Sequence, residues 1–565
     1  MRFRPARHLD WRHACAERRA LEQDGASELS SRRGADPETA DTPARGTTFG
    51  RHGTRIFIKN SLANLASGLS TAALSLLVPA FLSRYLTQPE FSAWMLIVQL
   101  AAYTALLNLG IQGATSRYVA FYAARGDRDS ASDLVSTAFY TLVITAIPAA
   151  ALVFAASRNI DRLFPALPAH FVGATRSGLL LMGLASALSM PAEAIAGAFT
   201  GLQRNELVAA IQGGGRLVLA GSLIAIVLLE GGVTSMAVAV AAVTVAIFLG
   251  FWCTNQYLAA VEISPRRAHW RSFRQIWGYC GALVIWTIAM LLVNGFDTAI
   301  VARVDFQAVG VYSACFGPIL LIAGVQQALF NPLLQLGAAR ASQSSNHSLP
   351  RLLLRSTKLS TLLLLSLSVP LLLFGRALLG WWLGPKYSDT AFTIFRLLLI
   401  GNTVRLLATP YSMLLLATLK HKRALLAPIV EASTNVAVAI AAGLRFGAAG
   451  VACGVVAGAF IGQFMIIYVN APRTPEVVGD LGTLLRKGVA LPVACALPAL
   501  LAAVAAIDRL PALMHVAIAA TALIASAVLA WKVSLAADER NMIRSGCSVL
   551  RGHAGDEHDA ASLTD

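Results

Sequence analysis

The sequence predicts an all-α membrane protein of about 14 transmembrane helices. Three observations lead there. Of 565 residues, 56% are hydrophobic and only 13% are charged, where soluble domains carry roughly 25% charged residues. The mean hydropathy is +0.63. The apolar residues gather into runs long enough to cross a hydrocarbon core about 30 Å thick as helices. Finally, Lys and Arg fall mostly in the short segments between those runs, which is how membrane topology is encoded.

Runs of the required length lie at 58–82, 92–112, 134–156, 175–200, 205–229, 234–254, 274–298, 308–334, 357–377, 391–418, 423–443, 448–470, 486–507 and 512–534. Inside lipid, peptide groups must find partners within their own segment, so these runs are read as helices. They group into an N-terminal six-helix bundle (56–256), a C-terminal six-helix bundle (270–470) and two extra helices (484–535). Residues 1–55 are polar and basic, hold no apolar run that could serve as a secretory signal, and read as a disordered cytoplasmic tail. Residues 536–565 form a second tail.

Charge sets the orientation. With the N-terminus inside, about 26 Lys and Arg fall on the inner side and about 9 on the outer. The positive-inside rule then places both termini in the cytoplasm, in a bacterial inner membrane. The same bias accounts for the net charge of +16, so nucleic acid is not an expected partner. The loops, at most about 20 residues by this reading, have no room for a catalytic domain, and the chain reads as a non-enzyme. There is no GxxxxGK[ST] phosphate loop, no HxxxH or HExxH metal pattern and no CxxC pair, so no cofactor or metal is expected. The aromatic residues Trp94, Tyr118, Trp252, Trp381 and Trp382 lie near span ends and read as interfacial belts.

The chain echoes itself. YLTQPEFSAW at 85–94 matches VDFQAVGVYS at 304–313, with Phe91 on Val309, Ser92 on Gly310 and Trp94 on Tyr312. Arg204 followed by Gly231-Gly232-Val233 matches Lys422 followed by Gly447 to Val451. Both echoes are offset by about six helices, an even number, so the halves run the same way through the bilayer. Parallel repeats of that kind are a transporter architecture, with the substrate path between the halves.

Charged groups within spans are costly unless a cavity or a partner receives them, so each is a functional candidate. Arg216 lies about 18 Å along the fifth span, too deep for easy snorkelling, after Gly213-Gly214-Gly215, which leaves room around it. A guanidinium fork at that depth suits a phosphate; a structural pair with Glu193 or Glu431 is the alternative. Arg405, beside Asn402 in the tenth span, is its counterpart in the second half. Glu193 and Glu431, near-equivalent in the repeat, read as counter-charges or as carboxylates for a coupling H+ or Na+. Asp297 is a further ion-coupling candidate, although a solvated pair with Arg303 is the simpler reading. Lys59 stands at the cytoplasmic entrance of the first span, as a cavity cation or a topology anchor.

Four segments carry a family resemblance: LVPAFLSRYLTQPEFSAW (77–94), LLNLGIQGATSRYVAFYAARGD (106–127), GAFTGLQRNELVAAIQGGGRL (197–217) and FDTAIVARVDFQAVGVYSA (296–314). The chain resembles the polysaccharide-export flippases of the multidrug/oligosaccharidyl-lipid/polysaccharide (MOP) superfamily, whose fold is MATE-like. Beyond about residue 340 the likeness is mainly hydropathy plus LATLKHKRALL (416–426). The resemblance implies two bundles around a central cavity. It implies a polyprenyl-pyrophosphate-linked oligosaccharide as substrate, flipped by alternating access for surface polysaccharide export. Cationic cavity residues are typical of such proteins, a role Arg216 and Arg405 would fill. The partners implied are the lipid-linked oligosaccharide, membrane lipids and the polysaccharide polymerase machinery. A MATE-type antiporter for cationic drugs shares the fold but calls for an acidic cavity. A polymerase would carry a long external loop, which is absent, and a lipid II flippase is chemically close.

Overall fold

The computed structural model describes residues 75–540 apart from 109, 279, 282–294, 342–347, 419–425, 506–510 and 538. Among the described residues the secondary structure is helical, with no strand. Nine segments are long and apolar enough to cross a membrane, and a bent pair, Leu481–Cys495 and Leu497–Val504 meeting at 55°, would make a tenth.

The helices run in order as α1 (75–85), α2 (Gln88–Ala102), α3 (Ile111–Arg125), α4 (Arg128–Arg158), α5 (Ala169–Ser189), α6 (Ala192–Gly201), α7 (Asn205–Leu228) and α8 (Val233–Leu258). Then come α9 (Phe296–Val304), α10 (Val309–Phe330), α11 (Pro332–Ala341), α12 (Ser348–Leu383), α13 (Ser388–Leu406), α14 (Thr409–Ala417) and α15 (Leu426–Met465). One compact unit holds the described residues up to Leu320 together with Trp382–Tyr387 and Ala432–Val455. The other holds the described residues of Leu321–Trp381 and Ser388–Glu431 and those from Val456 onward.

In the first unit, α3 and α6 approach until only glycine fits between them. A Cβ on Gly197 would stand 2.7 Å from the Gln112 carbonyl oxygen, and one on Gly201 2.6 Å from that of Ser116. Four residues apart, the two glycines form one flat seam. Helices in lipid associate by such close packing, because hydrocarbon solvent offers apolar faces no hydrophobic drive to meet. Ala114, Val119, Ala194, Ala198 and Phe199 bury themselves around the seam.

The two segments matched by the first sequence echo share a local build. Helix α2 follows Thr87 directly, and Asp305, which the alignment superposes on Thr87, leads through the 3-10 turn Phe306–Ala308 into α10; each of the two residues stands non-helical between helices. Thr87 closes a capping box with Glu90. The segments also touch: the Gly310 N–H donates to Ser92 Oγ at 3.2 Å, Ser92 Oγ donates to the Gln307 carbonyl at 2.9 Å, and Gly310 lies flat on the Phe91 ring. At the second echo, α15 breaks at Gly447, whose φ of 60° and ψ of −142° no L residue adopts cheaply. The break corresponds to the Gly231-Gly232 turn between α7 and α8.

Two expectations are corrected. Trp94 and Trp382 are not belt residues: they are 3% and 9% exposed, and Trp382 Nε1 donates to the Leu76 carbonyl at 2.9 Å. Trp381, 72% exposed, does stand outward. The runs at 175–200 and 391–418 are each two helices. The first breaks at Met190-Pro191 and the second at Leu407-Ala408, ahead of Pro410. A proline nitrogen has no hydrogen to donate and its ring crowds the preceding turn, so the helix stops.

Candidate functional site

In the second unit, the break between α13 and α14 frees the last carbonyls of α13. The Leu407 and Ala408 N–H groups reach back to Val404 and Arg405 at 3.3 and 3.2 Å, a tightened final turn. Side-chain amides complete the repair. Gln463 Nε2, on α15, donates to the Val404 carbonyl at 2.8 Å and the Arg405 carbonyl at 3.3 Å. Gln326 Nε2, on α10, donates to the Leu406 carbonyl at 2.9 Å and to Ser360 Oγ at 2.7 Å. Thr409 Oγ1 then donates to Gln326 Oε1 at 3.3 Å. A broken helix persists at membrane depth only when its freed peptide groups are satisfied in this way.

Arg405 lies at this break. Its Nε donates to Glu431 Oε1 at 2.5 Å and its Nη1 to Asn402 Oδ1 at 2.9 Å. The two charged side chains are 11% and 13% exposed. Gly462 leaves the space that Glu431 fills, since a Cβ there would stand 2.7 Å from its Oε2. The pair is therefore a shielded, neutral unit built into the break. Its ordinary reading is structural; its chemical one is a carboxylate whose proton and partner exchange can be coupled to movement of the break.

In the first unit, Arg216 stands midway along α7, partly exposed, with Leu217 and Val218 beside it 63% and 61% exposed. The three glycines before it divide their work. Gly213 and Gly214 face open space, whereas Gly215 meets Ile247 of α8, where a Cβ would be 2.6 Å away. Only the first two leave the room that the sequence suggested. Glu193, partly buried, lies in the first turn of α6, where the helix dipole favours a carboxylate. It is not the positional twin of Glu431: Glu193 follows the break in the fourth span, whereas Glu431 lies on α15, the helix after the broken tenth span.

Asp297, at 1% exposure, is not the solvated partner of Arg303. Asn435 Nδ2 donates to its two carboxylate oxygens at 3.2 and 3.5 Å. Tyr103 Oη donates to the neighbouring Gly295 carbonyl at 2.5 Å. Arg303 instead donates to the Leu163 carbonyl at 3.3 Å. Lys59 lies outside the described residues. Sequence reasoning missed Gln326, Gln463 and Asn435. The signal available was an amide side chain inside an apolar run, an expense in lipid that implies a partner.

The family model described as polysaccharide biosynthesis protein matches residues 57–335. The match covers just under half of the chain. The match takes in Glu193, Arg216 and Asp297 and stops before Arg405 and Glu431. No curated protein matches the chain. Among solved structures, lipid II flippase MurJ in an inward closed conformation aligns with a TM-score of 0.63 at 14% identity, covering 84% of this chain and 99% of that one. A multidrug resistance MATE family transporter of the MOP superfamily, inward-facing, gives 0.56 at 16% identity, covering 74% and 96%. A MOP superfamily transporter from Pyrococcus furiosus, whose binding pocket is described as of reverse polarity, gives 0.53 at 15% identity, covering 75% and 96%. These likenesses show that the chain shares the fold of those transporters.

Proposed function

We propose that this chain flips a polyprenyl-pyrophosphate-linked oligosaccharide from the inner to the outer leaflet of the bacterial inner membrane, by alternating access, for surface polysaccharide export. The observation that carries the substrate class is Arg216: a partly exposed guanidinium midway along a membrane-spanning helix, within the segment that resembles polysaccharide biosynthesis proteins. A pyrophosphate brings its charge through a medium that penalises charge by several kcal/mol, and a fixed cation offsets that cost. Arg405 is the second candidate cation, but its charge is already matched by Glu431, so it binds anions only when that pair opens. Glu193 and Asp297 are the candidates for a coupling H+ or Na+, and Lys59 is a further candidate for the entrance. The six-helix groupings at 56–256 and 270–470, cytoplasmic termini and a working association with polysaccharide polymerase machinery belong to the same reading.

A drug-cation antiporter is the second reading. The fold permits it, and the pocket polarity described as reversed in the Pyrococcus furiosus transporter indicates that the fold does not fix the sign of the cargo. Arg216 favours an anion.

The test is a strain lacking this protein. Lipid-linked oligosaccharide should accumulate on the cytoplasmic side and clear when the wild-type chain is restored, but not with Arg216→Ala at equal membrane abundance. Unchanged lipid-linked glycan together with new sensitivity to cationic drugs would replace this reading with the antiporter.

A further inference from the structure

A cavity of about 670 Å³ opens in the second unit where α10 ends and α12 begins. Asn331 is a turn residue between Phe330, which ends α10, and Pro332, which opens α11. The cavity walls are Leu329, Phe330, Leu333, Leu336, Leu352 and Leu359. Two cations, Arg351 and Arg355, line the same space. They are four residues apart on one helix, so they occupy one face about 6 Å apart along the axis.

One of the two cations stands apart from the neighbouring ion pairs. The next cation along the face, Lys358, is buried against Glu539, with Nζ to Oε2 at 2.7 Å, and Glu539 also reaches Arg355 at 3.8 Å. Arg351 has no ion-pair partner among the described residues. The place matters as much as the charge. The segments Phe306–Leu334 and Leu349–Leu383 both qualify as membrane spans, and the cavity sits where they meet their connecting loop. That is the depth of lipid headgroups. An apolar cleft at that depth with exposed guanidiniums at its rim matches an amphiphile with acyl chains and one phosphate diester. A free anion would leave the leucine walls uncovered, and an apolar chain alone would leave Arg351 without an anion.

We propose that this cavity is a binding site for an anionic glycerophospholipid of the surrounding bilayer, its phosphate held by Arg351 and Arg355 and its acyl chains lying on the leucine wall. Such lipids are abundant around the protein, and mass action keeps the site filled. The bound lipid supplies the anion that Arg351 lacks.

The test uses the full-length protein, delipidated in a neutral detergent and titrated with phosphatidylglycerol or phosphatidylcholine, read by thermal unfolding and by lipid retained in native mass spectrometry. Phosphatidylglycerol should stabilise and be retained, and phosphatidylcholine should do neither. Arg351→Gln should weaken phosphatidylglycerol binding roughly tenfold, the worth of one charge-assisted contact. Leu333→Trp should reduce retention by filling the cleft with both arginines intact. Arg445→Gln, outside the cavity, should bind as wild type. Equal response to both lipids, or wild-type phosphatidylglycerol retention in both Arg351→Gln and Leu333→Trp, would overturn the proposal. So would displacement of phosphatidylglycerol by equimolar polyprenyl pyrophosphate, which would assign the cleft to the substrate.

Discussion

Consider removal of Glu431. In the native chain its carboxylate faces Arg405 at 2.5 Å, and both side chains are nearly nine-tenths shielded. Glu431→Ala strips a buried guanidinium of its counter-charge and keeps its hydrogen bond to Asn402. Breaking a buried pair in this way costs about 3–5 kcal/mol, mostly the desolvation of the remaining charge. Arg405→Ala should cost a similar amount through the mirror-image defect. Changing both removes the stranded charge, so the double variant should be more stable than either single variant, with a coupling energy of about 2 kcal/mol or more. Unfolding in mixed micelles titrated with dodecyl sulfate, followed by far-ultraviolet circular dichroism, measures all four corners of the cycle. Additive losses, or a single-variant loss below about 1 kcal/mol, would refute the claim that the pair acts as one shielded unit. Because Arg405 already claims Glu431, removing Glu431 should not rescue Arg216→Ala in the export assay, which separates the two arginines functionally.

Other outcomes follow from single contacts. Arg216→Lys should restore export only in part, measured by surface polysaccharide, because it keeps the charge and loses the fork. Gly197→Leu should cut membrane abundance sharply, since even its Cβ meets the Gln112 carbonyl at 2.7 Å, and overpacking costs about 1–3 kcal/mol or more. Gln326→Leu should destabilise by about 1–3 kcal/mol in the micelle assay, as the Leu406 carbonyl loses its donor. The Ser130 hydroxyl and backbone N–H hold the Asp127 carboxyl below its ordinary range. Its small contribution is therefore present above the ordinary aspartate range and lost as the pH falls through the depressed value. Asp127→Asn should flatten that acid limb.

The helical membrane fold was legible because lipid simplifies the problem. Where every peptide group must bond within its own segment, hydropathy and length nearly suffice, and α4, α7, α8 and α12 fall where the apolar runs lie. The breaks were not drawn, although Pro191 and Pro410 mark them, because a run that is apolar throughout does not reveal that two helices share it. Arg216 and Arg405 stood out by cost alone. Their surroundings did not: Glu431 is 26 residues from Arg405, and the register that faces it across two helices is a tertiary property. Asp297 shows the same limit. Beside Arg303 in sequence it suggested an exposed pair, yet it is Asn435, 138 residues away, that bonds it. Trp94 misled for a related reason, since nearness to a span end does not say whether a ring points to lipid or to another helix.

The join between α13 and α14 has a mechanical meaning. A continuous helix is a stiff rod, and a push on one end arrives at the other. This rod has been cut and the cut ends laid against the amides of Gln326 and Gln463, each anchored on a different helix. An amide on a flexible stem can follow a carbonyl through a change of tilt without letting go. Strain delivered to the arm that carries Arg405 is therefore absorbed at the joint, while the arm from Thr409 to Ala417 stays tied by Tyr411 to Thr474. The protein has in effect a compliant coupling in place of a shaft, and torque across this span is limited by two glutamines.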